Sequence, residues 1–205
     1  MTTVMDLLKY IKKSFGHPYQ VVEISDEDIT EEIIQDEALK QYSTYYPWIH
    51  TEPFDPDKME INQFRDNNLT LDPEFFSGIV GISDAFYYDQ RITVTQIDKY
   101  NYKLHDRFTG IVATDILFKC KFVHKTDLST MTIADMNRFK KLALILAAKK
   151  ILPIRKYNNN ISTPIGEIAL DVETPQTLAD SYDEFVEKEL HNVSTFSSRL
   201  LFRLA

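Results

Sequence analysis

The stretch "FKKLALILAAKKIL", residues 139–152, limits how this chain folds more than any other. Between Lys140–Lys141 and Lys149–Lys150 lie seven consecutive apolar residues, Leu142 to Ala148. Wound as a helix, that run is apolar on every side, and such a helix is buried on most sides. In a chain of 205 residues, part of the cover is expected from a neighbouring subunit. Thr132 and Asp135 form a capping-box pair that opens the helix, and Pro153 is expected to end it.

The flanking segments predict helices before and after a sheet. Val4, Leu7, Leu8, Ile11 and Phe15 recur at helical spacing, stopped by Gly16 and Pro18. Ser25 and Asp28 cap a second helix whose first turns are acidic, where the helix dipole favours negative charge. Ile29, Ile33, Ala38, Leu39 and Tyr42 give it an apolar side, and Pro47 stops it. Periodicity is lost from Trp48 to about Pro73, so residues 48–74 are expected to be a loop excursion. Between Phe75 and His124 the period becomes two. Ile116, Phe118, Cys120 and Phe122 face one way and Lys119 and Lys121 the other, as in an antiparallel meander with one wet face. After Pro153 the sequence predicts a loop, a Thr163–Gly166 turn, a strand, and a last helix from Thr174–Pro175 to about His191. The fold class is therefore α+β: N-terminal helices, a central antiparallel β-meander, a buried apolar helix, a turn-strand and a C-terminal helix with an extended tail. Residues 1–193 read as one domain and 194–205 as a docking tail.

Composition excludes several function classes. A net charge of −8 disfavours a broad nucleic-acid-binding role, which needs a basic footprint to release counterions. The charge is uneven: residues 23–37 are strongly acidic, whereas Lys140, Lys141, Lys149, Lys150, Arg155 and Lys156 make a later stretch basic. Complementary faces of that kind set register between subunits. The single cysteine, Cys120, lies mid-strand on the apolar face and reads as a packed thiol. No apolar run reaches membrane-spanning length, and the first residues lack a signal-peptide pattern, so no membrane is expected and synthesis is assigned to a cytosol-like compartment. His17, His50, His105, His124 and His191 are scattered without zinc-site spacing. No phosphate-cradling glycine loop or nucleophile elbow is present in the sequence, so catalysis, metal and cofactor are not expected. The acidic pairs Asp26/Asp28 and Glu31/Glu32 are the one metal-binding alternative.

The aromatic cluster "YSTYYPW" and the basic stretch point to subunit contacts, because aromatic side chains with one wet edge supply contact area at low entropy cost. The candidates are Tyr45, Tyr46, Trp48, Lys149, Lys150, Arg155 and Lys156. The tail "STFSSRLLFRLA" is apolar and basic, with no acidic residue after Glu189. Arg199, Leu200, Leu201, Phe202, Arg203 and Leu204 are its candidate partner-binding residues, each apolar side chain worth about 1.5–3 kcal/mol if buried, before ordering costs.

Two stretches resemble known proteins. "ISDEDITEEIIQDEALKQYSTYYP" is similar to the N-terminal helix of structural proteins from tailed bacteriophages. "ADMNRFKKLALILAAKKILPIRKYNNNISTPIGEIALDVETPQTLADSYDEF" resembles their C-terminal half. The resemblance implies a virion component of the neck, or head-to-tail connector, made in the host cytoplasm. It implies a homo-oligomeric ring, commonly twelvefold in such proteins, that joins portal to tail and meets neighbouring neck or tail proteins. DNA would pass through the lumen, and the tail would dock on the portal or the next ring. The alternatives are another tail or baseplate subunit, a cytosolic assembly chaperone or binding module, and a small metal-dependent enzyme using the acidic helix.

Overall fold

A computed structural model of the chain describes residues 3–19, 22–62, 67–105, 113–158, 160–163 and 166–191. Two compact units emerge, one formed by residues 1–46 with 124–205 and one by residues 47–123. The second unit holds the central sheet, and in the sequence it falls between the two stretches of the first.

In the helical unit, α1 (Val4–Ser14) opens with a complete capping box between Thr3 and Asp6 and buries Leu7, Leu8 and Ile11. Ser25 caps the next helix as expected, accepting from the Asp28 N–H at 3.0 Å. That helix is π-wound over Asp28–Ala38 and continues as α2 (Leu39–Tyr45). The long α3 (Ile133–Tyr157) starts in the Thr132–Asp135 capping box. Every residue from Leu142 to Ala148 is buried by the chain's own elements, so the cover expected from a neighbouring subunit comes from within.

Pro153 does not end α3. A proline removes the N–H that would bond the carbonyl of Lys149, yet the helix continues for four more residues. Arg155 explains why, since its side chain is fully buried and anchors that turn. Its Nε donates to Glu23 Oε1 at 2.9 Å, Nη1 to the Asp171 carbonyl at 2.7 Å, and Nη2 to the Phe15 carbonyl at 3.1 Å. One guanidinium thus joins the end of α1, the segment leading to the π-wound helix, and the segment leading to α4. A hairpin of β8 (Asn160–Thr163) and β9 (Gly166–Ala169) follows. Then come α4 (Glu173–Asp180) and α5 (Tyr182–Phe185), the latter running on π-wound to His191. The Thr163–Gly166 turn lies partly outside the described residues.

The second unit is a seven-stranded antiparallel sheet in the order β1-β7-β4-β5-β6-β3-β2. Its strands are β1 (Trp48–Pro53), β2 (Met59–Asn62), β3 (Asn68–Leu71), β4 (Ile79–Tyr87), β5 (Gln90–Gln96), β6 (Asn101–His105) and β7 (Ile116–Phe122). Residues 48–74 therefore carry three strands where a loop was expected. Their short lengths and flanking prolines hide the alternation, which is plain only in partners such as Leu69↔Tyr102. β7 behaves as read: Ile116, Phe118 and Cys120 enter a core with Ile82, Ala85, Ile92 and Tyr102.

His124 marks the point where the chain re-enters the helical unit. Its backbone N–H donates to Ser43 Oγ at 3.0 Å. Nε2 lies 2.8 Å from the Tyr46 carbonyl, which can only accept, so Nε2 carries the proton and Nδ1 accepts from Thr130 Oγ1 at 2.9 Å. Burial holds this imidazole below its ordinary pKa, against the hydrogen bond to Tyr46 and the field of Asp135.

Two predictions follow from these buried groups. Arg155→Met leaves Glu23 and two carbonyls without their donor and is expected to cost about 3–5 kcal/mol in urea unfolding. Adding Glu23→Gln should cost less than the sum of the two single changes, and an Arg155→Met loss below about 1 kcal/mol contradicts the anchor. For His124 the folded pKa is depressed, so its contribution is complete above about pH 6.5 and is lost as pH falls through the folded value. Denaturation at pH 7.5 and 5.5 should show a drop that His124→Gln lacks; equal drops in both proteins contradict it.

Candidate functional site

Among the described residues the reactive groups do not converge. Cys120 is buried, and desolvation, with the nearby Glu52 carboxylate, pushes its thiol up to about 12, far from a reactive thiolate. His50 faces Glu52 at 3.5 Å and His105 bonds Thr95 Oγ1 at 2.8 Å, on different strands. The acidic helix is answered by lysines: Lys12 reaches Asp26 at 2.7 Å, Lys150 reaches Glu32 at 2.8 Å, and Lys40 pairs with Asp36. Among the described residues no three histidine, cysteine or carboxylate side chains gather into a metal-ligand set. No helix among them is long and apolar enough to cross a membrane.

The expected contact residues scatter over both units. Tyr46 stacks on Tyr42 with centroids 5.2 Å apart and donates its hydroxyl to the Glu189 carbonyl at 3.3 Å. The Arg138 guanidinium lies 5.2 Å from its ring. Tyr42 in turn donates to Asp135 Oδ1 at 2.9 Å, and burial, followed by that carboxylate, raises its pKa. Tyr45 meets His191 edge-on at 6.5 Å and keeps part of its ring exposed. Trp48 belongs to the sheet unit, stacked on His50 at 5.2 Å and tilted against Phe122 at 5.8 Å. In the helical unit, Lys149 is exposed with its ammonium 3.8 Å from the Tyr182 ring centroid. Lys150 is half-buried on Glu32 and Lys156 is exposed. Arg155 has no exposed surface and its donors are engaged inside the chain, so it offers a neighbour nothing to touch. The tail residues Arg199, Leu200, Leu201, Phe202, Arg203 and Leu204 lie outside the described residues.

The sequence reading missed a groove in the helical unit. Leu144 and Ile145 of α3, Leu178 of α4 and Phe185 of α5 form its floor. Lys141, Glu184, Lys188 and Glu189 border one end, and Ser14, Glu173, Thr174 and Thr177 the other. Leu144 and Leu178 line both ends, so the two hollows adjoin at these residues. The signal was present in the run that is apolar all round: the helix covering it is short of apolar residues, with Pro175 and Phe185 its buried ones over 173–185. Its floor is apolar and its rim carries Lys141, Glu173, Glu184, Lys188 and Glu189.

A family model described as a bacteriophage ring protein, of the PBS1 phage type, matches residues 99–202, just over half of the chain. No curated protein matches it. The matched segment takes in β6, β7, all of α3, the β8–β9 hairpin and the α4–α5 pair, and with them Arg155 and the groove. The chain belongs to the bacteriophage ring protein family and is, with that family, a ring-forming structural protein of a phage.

Proposed function

We propose that this chain is the subunit of a ring in the neck of a tailed phage, joining portal to tail and letting DNA pass, without catalysis. The family match over residues 99–202 carries the reading. The resemblance of residues 24–47 and 134–185 to neck proteins supports the narrower placement within the virion.

The electrostatics are compatible with a conduit. A chain of net charge −8 repels a polyanion on average, so DNA slides past instead of sticking. Subunit contacts are assigned to Tyr45, Trp48, Lys149, Lys150 and Lys156, which keep surface for a neighbour. Residues 194–205 serve as the arm that buries Leu200, Leu201, Phe202 and Leu204 against another subunit.

A tagged copy carried into particles tests the placement. Gold label at the head–tail junction is expected; label along the tail or at the baseplate contradicts it, and a chain absent from finished particles favours an assembly factor. Lys156→Glu tests the contact assignment separately. It should lower the ring-to-monomer ratio several-fold at low salt and change unfolding free energy by less than about 0.5 kcal/mol. An unchanged ratio removes Lys156 from the interface.

A further inference from the structure

We propose that His124 is a proton-operated clasp on the two peptides through which the chain enters and leaves the sheet unit, and that acid loosens these crossings while the helices stay formed. The chain passes between its two units at residues 46–47 and again at 123–124. His124 is the residue at which the second crossing ends, and its ring reaches the first.

Both crossing peptides are tied through this one residue. The carbonyl of the Tyr46–Pro47 peptide accepts from His124 Nε2 at 2.8 Å, and the N–H of the Val123–His124 peptide donates to Ser43 Oγ at 3.0 Å. Ser43 is itself fixed, because its hydroxyl donates to the Leu39 carbonyl at 2.7 Å within α2. The Tyr46 N–H closes the end of that helix on the Tyr42 carbonyl at 2.9 Å. Proline brings no N–H, so the Tyr46–Pro47 peptide has only its carbonyl to be held by, and His124 holds it. Within the sheet unit, Trp48 at the start of β1 pairs with Phe122 at the end of β7. In the sequence only Pro47 and Val123 lie between these two sets of ties.

A proton reaches the clasp through Nδ1. Nε2 keeps its hydrogen and its bond to Tyr46 in either charge state, whereas Nδ1 accepts from Thr130 Oγ1 at 2.9 Å only while the ring is neutral. Protonation turns the threonine hydrogen out of that bond, and the same Oγ1 already accepts the Lys125 N–H at 3.1 Å. The groups packed around the ring do not offer the cation a partner. Asp135 of α3 is the carboxylate whose field favours it, but Asp135 is taken up by Thr132 Oγ1 at 2.6 Å and the Tyr42 hydroxyl at 2.9 Å. Tyr42 presents its ring, with centroids 6.0 Å apart, and Arg138 lies against Tyr46, 5.2 Å from the ring centroid. Lys125, next in the chain, is exposed. An imidazolium buried here regains hydration only by moving out, and that movement releases both crossings. Burial holds the folded group below its ordinary 6.5, so the clasp is complete above about pH 6.5 and is lost as pH falls through the folded value.

Residue-resolved native-state hydrogen exchange of the full-length chain at low urea tests the clasp. The amides at positions 46 and 124 should exchange through an opening that urea barely affects, because a local opening exposes little surface. Corrected for intrinsic exchange, its equilibrium constant should rise about two- to ten-fold from pH 7.5 to 5.5, ten-fold being the limit for a group released to its ordinary pKa. In His124→Gln, whose side-chain amide can donate to the Tyr46 carbonyl but does not titrate, the rise should be absent. A rise below about two-fold in the native chain overturns the proposal, and so does one that His124→Gln retains. Exchange at 46 and 124 that grows with urea in step with the amides of 142–148 overturns it too, because His124 is then freed only when the helical unit unfolds. If His124→Gln fails to fold, the pH rise and the urea comparison in the native chain decide the matter between them.

Discussion

The buried guanidinium of Arg155 is the interaction on which the helical unit depends. A charge removed from water is tolerated only when its partners replace the lost hydration. Here Glu23 supplies the opposite charge, Phe15 and Asp171 supply carbonyls, and the Phe15 ring lies 5.9 Å from the guanidinium carbon. The Glu23 Oε2 atom is buried without a hydrogen-bond partner, so the desolvation of that carboxylate is only partly offset. The anchor also extends α3 past Pro153, which sets where the β8–β9 hairpin begins. Arg155 and Asp171 fall inside the family-matched segment, while Phe15 and Glu23 precede it. The first two helices therefore complete a fold whose other half carries the family signature.

Much of this was legible because local rules act locally. The caps at Ser25 and Thr132, the buried stripe of α1 and the alternation of β7 depend on neighbours within four residues, and each forms as read. The three strands from Trp48 to Leu71 were not legible. Strands of four to six residues beside Pro53 and Pro56 show too few alternations to outweigh their turn residues. Arg155 was placed among surface cations because charge counts do not reveal long-range partners. Its partner Glu23 stands 132 positions away. The groove escaped for a related reason, since it exists only where α4 and α5 cover α3 incompletely.

The apolar run of α3 is covered within the chain, which changes what a ring interface must be. The buried run of that helix is not free to form the interface, which is left to what remains at the surface, half-exposed tyrosines and exposed lysines among it. Surfaces of mixed polarity with a few apolar anchors suit subunits that fold first and assemble afterwards. The separate sheet unit fits the same order of events. Its core of Leu69, Tyr102, Phe118 and their neighbours closes without help from another copy.

The account stands or falls on self-assembly, and class averages of the purified chain by electron cryo-microscopy test it most directly. The account predicts closed, rotationally symmetric rings of one dominant subunit count, formed by this protein alone. Isolated monomers at micromolar concentration, or open filaments without closure, would contradict it.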